Sequence, residues 1–283
     1  MKKINLIAPI LIAGTLFLSN CKKKTDDAGN PLASTQVETS CTDINLFSIQ
    51  QDIRLGAQVD SQIRATPAEY VILDSSSNAF AYQYMNNIKK EIFDNAAVDY
   101  ETTFKWKIAI LKDDTTLNAF CTPGGYIYVY TGIIKYLDNE DDFAGVLGHE
   151  IGHAALRHST DAMAREQGIG TLIQIVLGKE PGILATLAKN LSDLKYSRCH
   201  ETQSDEYSVI MLKNTKYKCN GAASFFEKIV ASGGSSTPAF LSTHPDPGSR
   251  VANINAKATK EGCNKTVPAS GTEWAKLKTE LSK

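Results

Sequence analysis

The stretch Phe143-Ala144-Gly145-Val146-Leu147-Gly148-His149-Glu150-Ile151-Gly152-His153-Ala154-Ala155 constrains this chain more than any other. Its residues are small or apolar almost throughout, yet it carries two histidines and a glutamate. Read as a helix over 139–158, it holds three glycines, each about 1 kcal/mol less favourable than alanine. An exposed helix has little to offset that cost, whereas a buried one packed backbone-close against a neighbour does. The three polar side chains then need a partner, because burying them unpaired is expensive. Asp138, Asn139 and Asp142 just upstream supply an N-cap and first-turn acids.

His149 and His153 are four residues apart, so on a helix they project from one face, one turn apart. Two imidazoles so placed can grip one zinc ion per chain, at about 2.0–2.1 Å each. Glu150 lies roughly 100° round the helix, where a base stands to take a proton from water activated by the metal. A catalytic zinc wants three protein ligands and an open position. His158 falls nine residues after His149 and is expected to face the opposite side of the same helix, at the surface. The segment Tyr196–Asp205 is the better source, because Glu201 and Asp205 share a face there. Glu201 could bind the metal while Asp205 orients a ligating imidazole. Alone, that pair reads better as an exposed acidic face; paired with His149-Glu150-x-x-His153, the ligand reading wins. His200 is rotated away, to pack or to meet solvent.

The rest of the folded part is mostly helical. Helices are expected over 44–65, 79–93, 160–178, 183–213, 220–231 and 247–260, from apolar residues at helical spacing. Phe104–Leu111 and Tyr126–Tyr130 read as strands, the second introduced by the turn Pro123-Gly124-Gly125. These elements describe one mostly helical α+β domain, with a small sheet beside the histidine-bearing helix. A 42% hydrophobic, 22% charged composition excludes a disordered, collagenous or multi-span membrane chain. With 30 basic against 31 acidic side chains, no nucleic-acid partner is expected.

The first twenty residues read as a signal peptide: Lys2 and Lys3, then an apolar run from Ile4 to Leu18. Leu18-Ser19-Asn20-Cys21 resembles a bacterial lipobox, which would make Cys21 the lipidated N-terminus of the mature chain. Residues 21–42 then form the lipid-bearing end and a polar, flexible tether, and 43–283 the folded domain. Lys22 after Cys21 is consistent with delivery to the periplasmic face of the outer membrane. The five remaining cysteines allow one or two disulfides in an oxidising compartment and leave at least one thiol unpaired. Cys219 and Cys263, which flank C-terminal helices, are the expected pair. No CxxC spacing occurs.

Four segments in order resemble the M48 family of zinc metalloendopeptidases, which are gluzincins. They are Asn118-Ala119-Phe120 through Gly125, Gly148-His149-Glu150-x-x-His153, His200-Glu201-x-x-x-Asp205, and Ser242-Thr243-His244-Pro245-x-Pro247-x-x-Arg250. The resemblance implies that His149, His153 and Glu201 bind zinc, that Glu150 is base and then acid, and that Asp205 supports the site. It places His244 near the metal, either to stabilise the oxyanion or to fill the open position and silence the enzyme. It also likens the strand beginning Gly125-Tyr126-Ile127-Tyr128 to the family's edge strand, to which an extended peptide could add. Its implied substrates are polypeptides, unfolded or misassembled envelope proteins.

Overall fold

The computed structural model describes residues 25–26, 31–42, 45–231, 239–245, 247–266 and 271–283, so the signal-like segment and Cys21 lie outside the described residues. In chain order the elements are α1 (Ile49–Arg64), α2 (Ala79–Asn95), β1 (Lys107–Leu111), β2 (Ala119–Thr122), β3 (Tyr126–Tyr130), α3 (Thr131–Tyr136), α4 (Glu140–Ala155), α5 (His158–Gln167), α6 (Ile169–Val176), α7 (Pro181–Lys189), α8 (Arg198–Leu212), α9 (Gly221–Ala231), α10 (Ala239–Thr243), α11 (Pro247–Glu261) and α12 (Thr272–Glu280). The architecture is α+β and mostly helical, as expected. None of the described helices is by itself long and apolar enough to cross a membrane.

The three strands form a mixed sheet in the order β1-β3-β2, with β1 parallel and β2 antiparallel to β3. Side chains alternate across it, as the two-residue period of a strand requires. Ile108, Ile110, Ala119, Cys121, Ile127 and Val129 face the core built with α2, α4, α8 and α9. Ala109, Leu111, Phe120, Tyr126, Tyr128 and Tyr130 face a second core under α1 and α5–α7. The sheet is thus covered on both faces, which explains its runs of apolar and aromatic residues.

Expected boundaries fail where a local backbone signal interrupts the periodicity. The first helix starts at Ile49 because Ser48 forms a capping box with Gln51, leaving Leu46 exposed. The strand expected from Phe104 begins only at Lys107, since Trp106 sits at φ 44°. The run 160–178 breaks at Gly168 (φ 81°), and 183–213 breaks into α7, a 3-10 turn at Leu191–Asp193, and α8, which Ser197 caps. α4 ends early, because Arg157 takes the left-handed conformation (φ 65°) and His158 opens a new helix.

The expected flexible tether over 21–42 is corrected for 31–42, which form a pinned strap. Ala33–Gln36 make a 3-10 turn, the Thr39 amide and hydroxyl bind the Glu206 carboxylate, and Lys257 holds Glu38 at 2.7 Å. A disulfide from Cys41 to Cys199, a pairing the sequence did not single out, ties the strap to the first turn of α8. The expected Cys219–Cys263 disulfide is present. Among the described residues Cys121 is the unpaired thiol, and it is buried.

Candidate metal centre

α4 carries the centre because its glycine face lets other backbones come close. A Cβ on Gly145 would stand 2.1 Å from the Ala222 nitrogen in α9, and one on Gly152 would stand 3.2 Å from the Ser204 backbone in α8. This close seating brings Glu201, in the first turns of α8, opposite His149 and His153. Asn139 caps α4, its side-chain oxygen accepting from the Asp142 amide at 2.9 Å.

Four side chains converge. Nε2 of His149 and Nε2 of His153 are 2.9 Å apart. Glu201 places Oε2 3.4 Å from the former and Oε1 3.2 Å from the latter. His244, just after α10, brings Nδ1 to 3.3 Å from His149 Nε2 and 3.1 Å from Glu201 Oε1. Tetrahedral ligands bonded at about 2.0–2.1 Å stand about 3.3 Å from one another. The separations here fit that figure, and the four candidate ligand atoms all lie within 4.8 Å of one another. Three imidazoles and a carboxylate form a nitrogen–oxygen donor set suited to a divalent ion.

Glu150 stands beside this cluster. Neither of its carboxylate oxygens has a hydrogen-bond partner, although both are fully buried, and Oε1 lies 3.7 Å from His244 Nε2. Burial raises its pKa above the ordinary carboxylate range. A buried carboxylate without a donor is costly, so this side chain fits a group that arrives from outside the chain.

Asp205 places Oδ1 2.9 Å from Nδ1 of His149, the nitrogen turned away from the cluster. Arg250 of α11 clamps Asp205 with Nε and a terminal nitrogen at 2.7 and 2.6 Å, and its other terminal nitrogen is 2.6 Å from Glu201 Oε2. Burial pushes against ionising Glu201 and Asp205, but the charges beside them, Arg250 for both and His244 for Glu201, hold both carboxyls below their ordinary values. Burial and Arg250 also oppose a proton on His149, yet its hydrogen bonds to Asp205 and Glu201 outweigh them and raise it to about 9. Spacing along the chain assigns Arg250 no task, because only the docking of α11 brings it here.

Two expectations are corrected, for His158 and for the strand at Gly125–Tyr128, and the alternative left open for His200 is decided. His158 is not at the surface: the reversal at Arg157 turns it back, its exposure is 4%, and its Nδ1 lies 3.1 Å from His153 Nδ1. Of its two expected places, His200 takes the packed one: it is buried and stacks on His158 with centroids 4.1 Å apart. Gly125, Tyr126, Ile127 and Tyr128 do not offer an edge, because β3 is the central strand, hydrogen-bonded on both sides and wholly buried. The strand with an outer edge beside α4 is β2, which was not anticipated as a strand. Leu117 O accepts from the Phe240 amide of α10, the Ala119 amide binds its neighbour's Asn118 Oδ1, and Cys121 O accepts from Ser159. That edge is capped by side chains and one helix, and no described strand pairs with it.

Over 248 residues the chain is 26% identical to the Beta-barrel assembly-enhancing protease of Yersinia pestis, covering 82% of this chain and 49% of that protein. It is 30% identical over 176 residues to the Mitochondrial metalloendopeptidase OMA1 of Schizosaccharomyces pombe (60% and 51%) and 28% identical over 160 residues to Metalloprotease YcaL of Escherichia coli K12 (54% and 61%). The chain therefore spans about half the length of such relatives. The family model described as Peptidase family M48 matches residues 82–258, which include α4, α8 and His244. With more than half of its length so matched, and with a His-His-Glu-His cluster at the heart of the match, the chain belongs to peptidase family M48.

Proposed function

We propose that this protein is a zinc-dependent endopeptidase of the cell envelope, with His149, His153 and Glu201 as the metal ligands and Glu150 as the catalytic base. The observation that carries the reading is the tetrahedral spacing of the ligand atoms beside a buried carboxylate that has no partner of its own. Zinc bound there would polarise a scissile carbonyl and lower the pKa of water. Glu150 takes the proton of the attacking water and passes it to the leaving amine, a task helped by its raised pKa. Asp205 keeps the His149 imidazole oriented, and Arg250 offsets the negative charge of Asp205 and Glu201.

An extended peptide adds its backbone to the outer edge of β2, at Leu117, Ala119 and Cys121, instead of to β3, once α10 and the capping side chains have moved off that edge. Main-chain pairing reads backbone more than side chains, which suits unfolded or misassembled polypeptides. The name of the Yersinia relative supports an envelope setting, and anchoring through a lipid on Cys21 belongs to the same reading. Replacing Glu150 with Gln tests the chemistry: zinc content should persist while digestion of an unfolded protein such as casein disappears. Retained digestion would refute the assignment.

His244 supports a second reading. Its Nδ1 takes the place of a fourth ligand, and the centre has no solvent exposure at Glu150 or His244. In this form the protein is latent, or is a zinc-containing lipoprotein that holds client chains without cutting them. Comparing wild type with His244→Ala separates the two. Cleavage gained by the variant supports latency, and no cleavage by either supports the holding role.

A further inference from the structure

We infer that His158 is a positioning residue for the metal ligand His153, holding its imidazole as the Nδ1–H tautomer through a chain of hydrogen bonds that ends on the backbone of the N-terminal strap. This inference rests on the zinc reading above. It begins with the two nitrogens of His153. Nε2 points into the cluster, 2.9 Å from His149 Nε2 and 3.2 Å from Glu201 Oε1. A nitrogen that ligates a metal carries no proton, so the proton of neutral His153 must sit on Nδ1.

That Nδ1 faces Nδ1 of His158 at 3.1 Å. His158 must therefore accept at Nδ1, which places its own proton on Nε2. An acceptor waits there, because Gln203 Oε1 is 2.9 Å away. With its oxygen so committed, the Gln203 amide directs Nε2 to the Thr39 carbonyl, also at 2.9 Å. Donor and acceptor alternate along the whole chain without conflict, and only this sense of the proton positions satisfies every link. The Ser204 hydroxyl lies 3.2 Å from the same His158 nitrogen. Its hydrogen rotates freely, so it adapts to the imidazole bond instead of dictating it.

The surroundings fix the His158 ring. It stacks on His200 with planes only 10° apart, and the residue before His200 is disulfide-bonded to Cys41. The left-handed Arg157 turns the chain so that His158 reaches back to a residue five positions earlier. Arg157 is itself tied to Asp52 and to the Phe47 carbonyl. A bulky residue at positive φ persists only where its surroundings hold it. The two ligand imidazoles are thus oriented by different chemistry: a carboxylate, Asp205, behind His149, and a neutral imidazole behind His153. The neutral partner adds no further negative charge to a centre that already holds Glu150, Glu201 and Asp205.

The test compares His158→Leu, which lacks an acceptor, with His158→Asn, whose side-chain oxygen stands near the place of Nδ1. Zinc affinity is read by competition with a chelator, and the ligand field by the visible absorption of the cobalt-loaded protein. His158→Leu should lose about 10- to 100-fold in zinc affinity and shift the cobalt bands, while His158→Asn should stay within a few-fold of wild type. Gln203→Leu, at a half-buried position, should weaken zinc by a smaller factor in the same direction, and it serves if His158→Leu does not fold. The metal-free unfolding temperature is measured alongside, since a purely structural residue would lower it without moving the cobalt spectrum. If wild type binds zinc and all three variants match it in affinity and spectrum, the inference is overturned while the zinc reading stands. If wild type binds no zinc, the zinc reading itself fails.

Discussion

At the scale of single residues the centre is a balance of buried charges. Arg250 is almost fully buried and neutralises Asp205 and Glu201 together. Replacing Arg250 with Leu strands two carboxylates without their cation, a loss of about 3–5 kcal/mol. Thermal unfolding of the metal-free variant should show that loss, and added zinc should restore part of it, by supplying positive charge beside Glu201 but not beside Asp205. Restoration to the full wild-type value would mean that Arg250 matters only for Glu201. His149, Glu150 and His153 were legible in the sequence because all three ride on one helix, where spacing alone fixes their directions. Glu201 and Asp205 were legible as a same-face pair, given a purpose by the family resemblance. His158 was misread because its direction depends on the left-handed residue before it, a change of path that apolar periodicity does not register.

At the scale of elements, α4 decides the fold. The expectation that its glycines admit a neighbouring backbone is met at Gly145, where a methyl group would overlap the start of α9. Gly145→Ala gains helix propensity of about 1 kcal/mol, yet the overlap falls on backbone, which cannot swing aside. The variant should be destabilised by about 1–3 kcal/mol net in chemical denaturation, and a stabilised variant would contradict this packing. The N-terminal turn of α4 adds a pH effect. Burial raises Asp142 to about 6, although acids ordinarily suit a helix start. Between about pH 4 and 6 the folded form holds a proton that the unfolded chain has lost, so this residue's contribution falls as pH rises through that window. The stability of Asp142→Asn relative to wild type should accordingly grow from pH 4 to pH 6, by at most about 3 kcal/mol; a flat difference would place the titration elsewhere. The long expected helix over 183–213 failed for an ordinary reason: Ser197 caps a new helix more strongly than the apolar pattern argues for continuity.

At the scale of the whole molecule, two disulfides and a short helix govern what the protein can do. Cys41–Cys199 spans 158 residues and Cys219–Cys263 spans 44. Loop-closure entropy gives at most about 5 and about 4 kcal/mol respectively. Cys41→Ser should therefore lower the denaturation midpoint more than Cys263→Ser, and the reverse order would show that the strap is held mainly by its hydrogen bonds. The strap also marks where sequence reading ran out, because a polar, turn-rich segment looks unstructured until its partners on α8 and α11 are in place. α10 has the widest reach for its size: its Phe240 amide occupies the Leu117 carbonyl, and the histidine just past its end lies among the candidate ligands. This five-residue helix thus covers the outer edge of β2 at Leu117 and leads directly into His244 of the candidate cluster. Under the proposed zinc reading, admission and arming would be a single event, and a small chelating molecule seated on the metal would, by evicting His244, pry loose the helix over the neighbouring β2 edge as well.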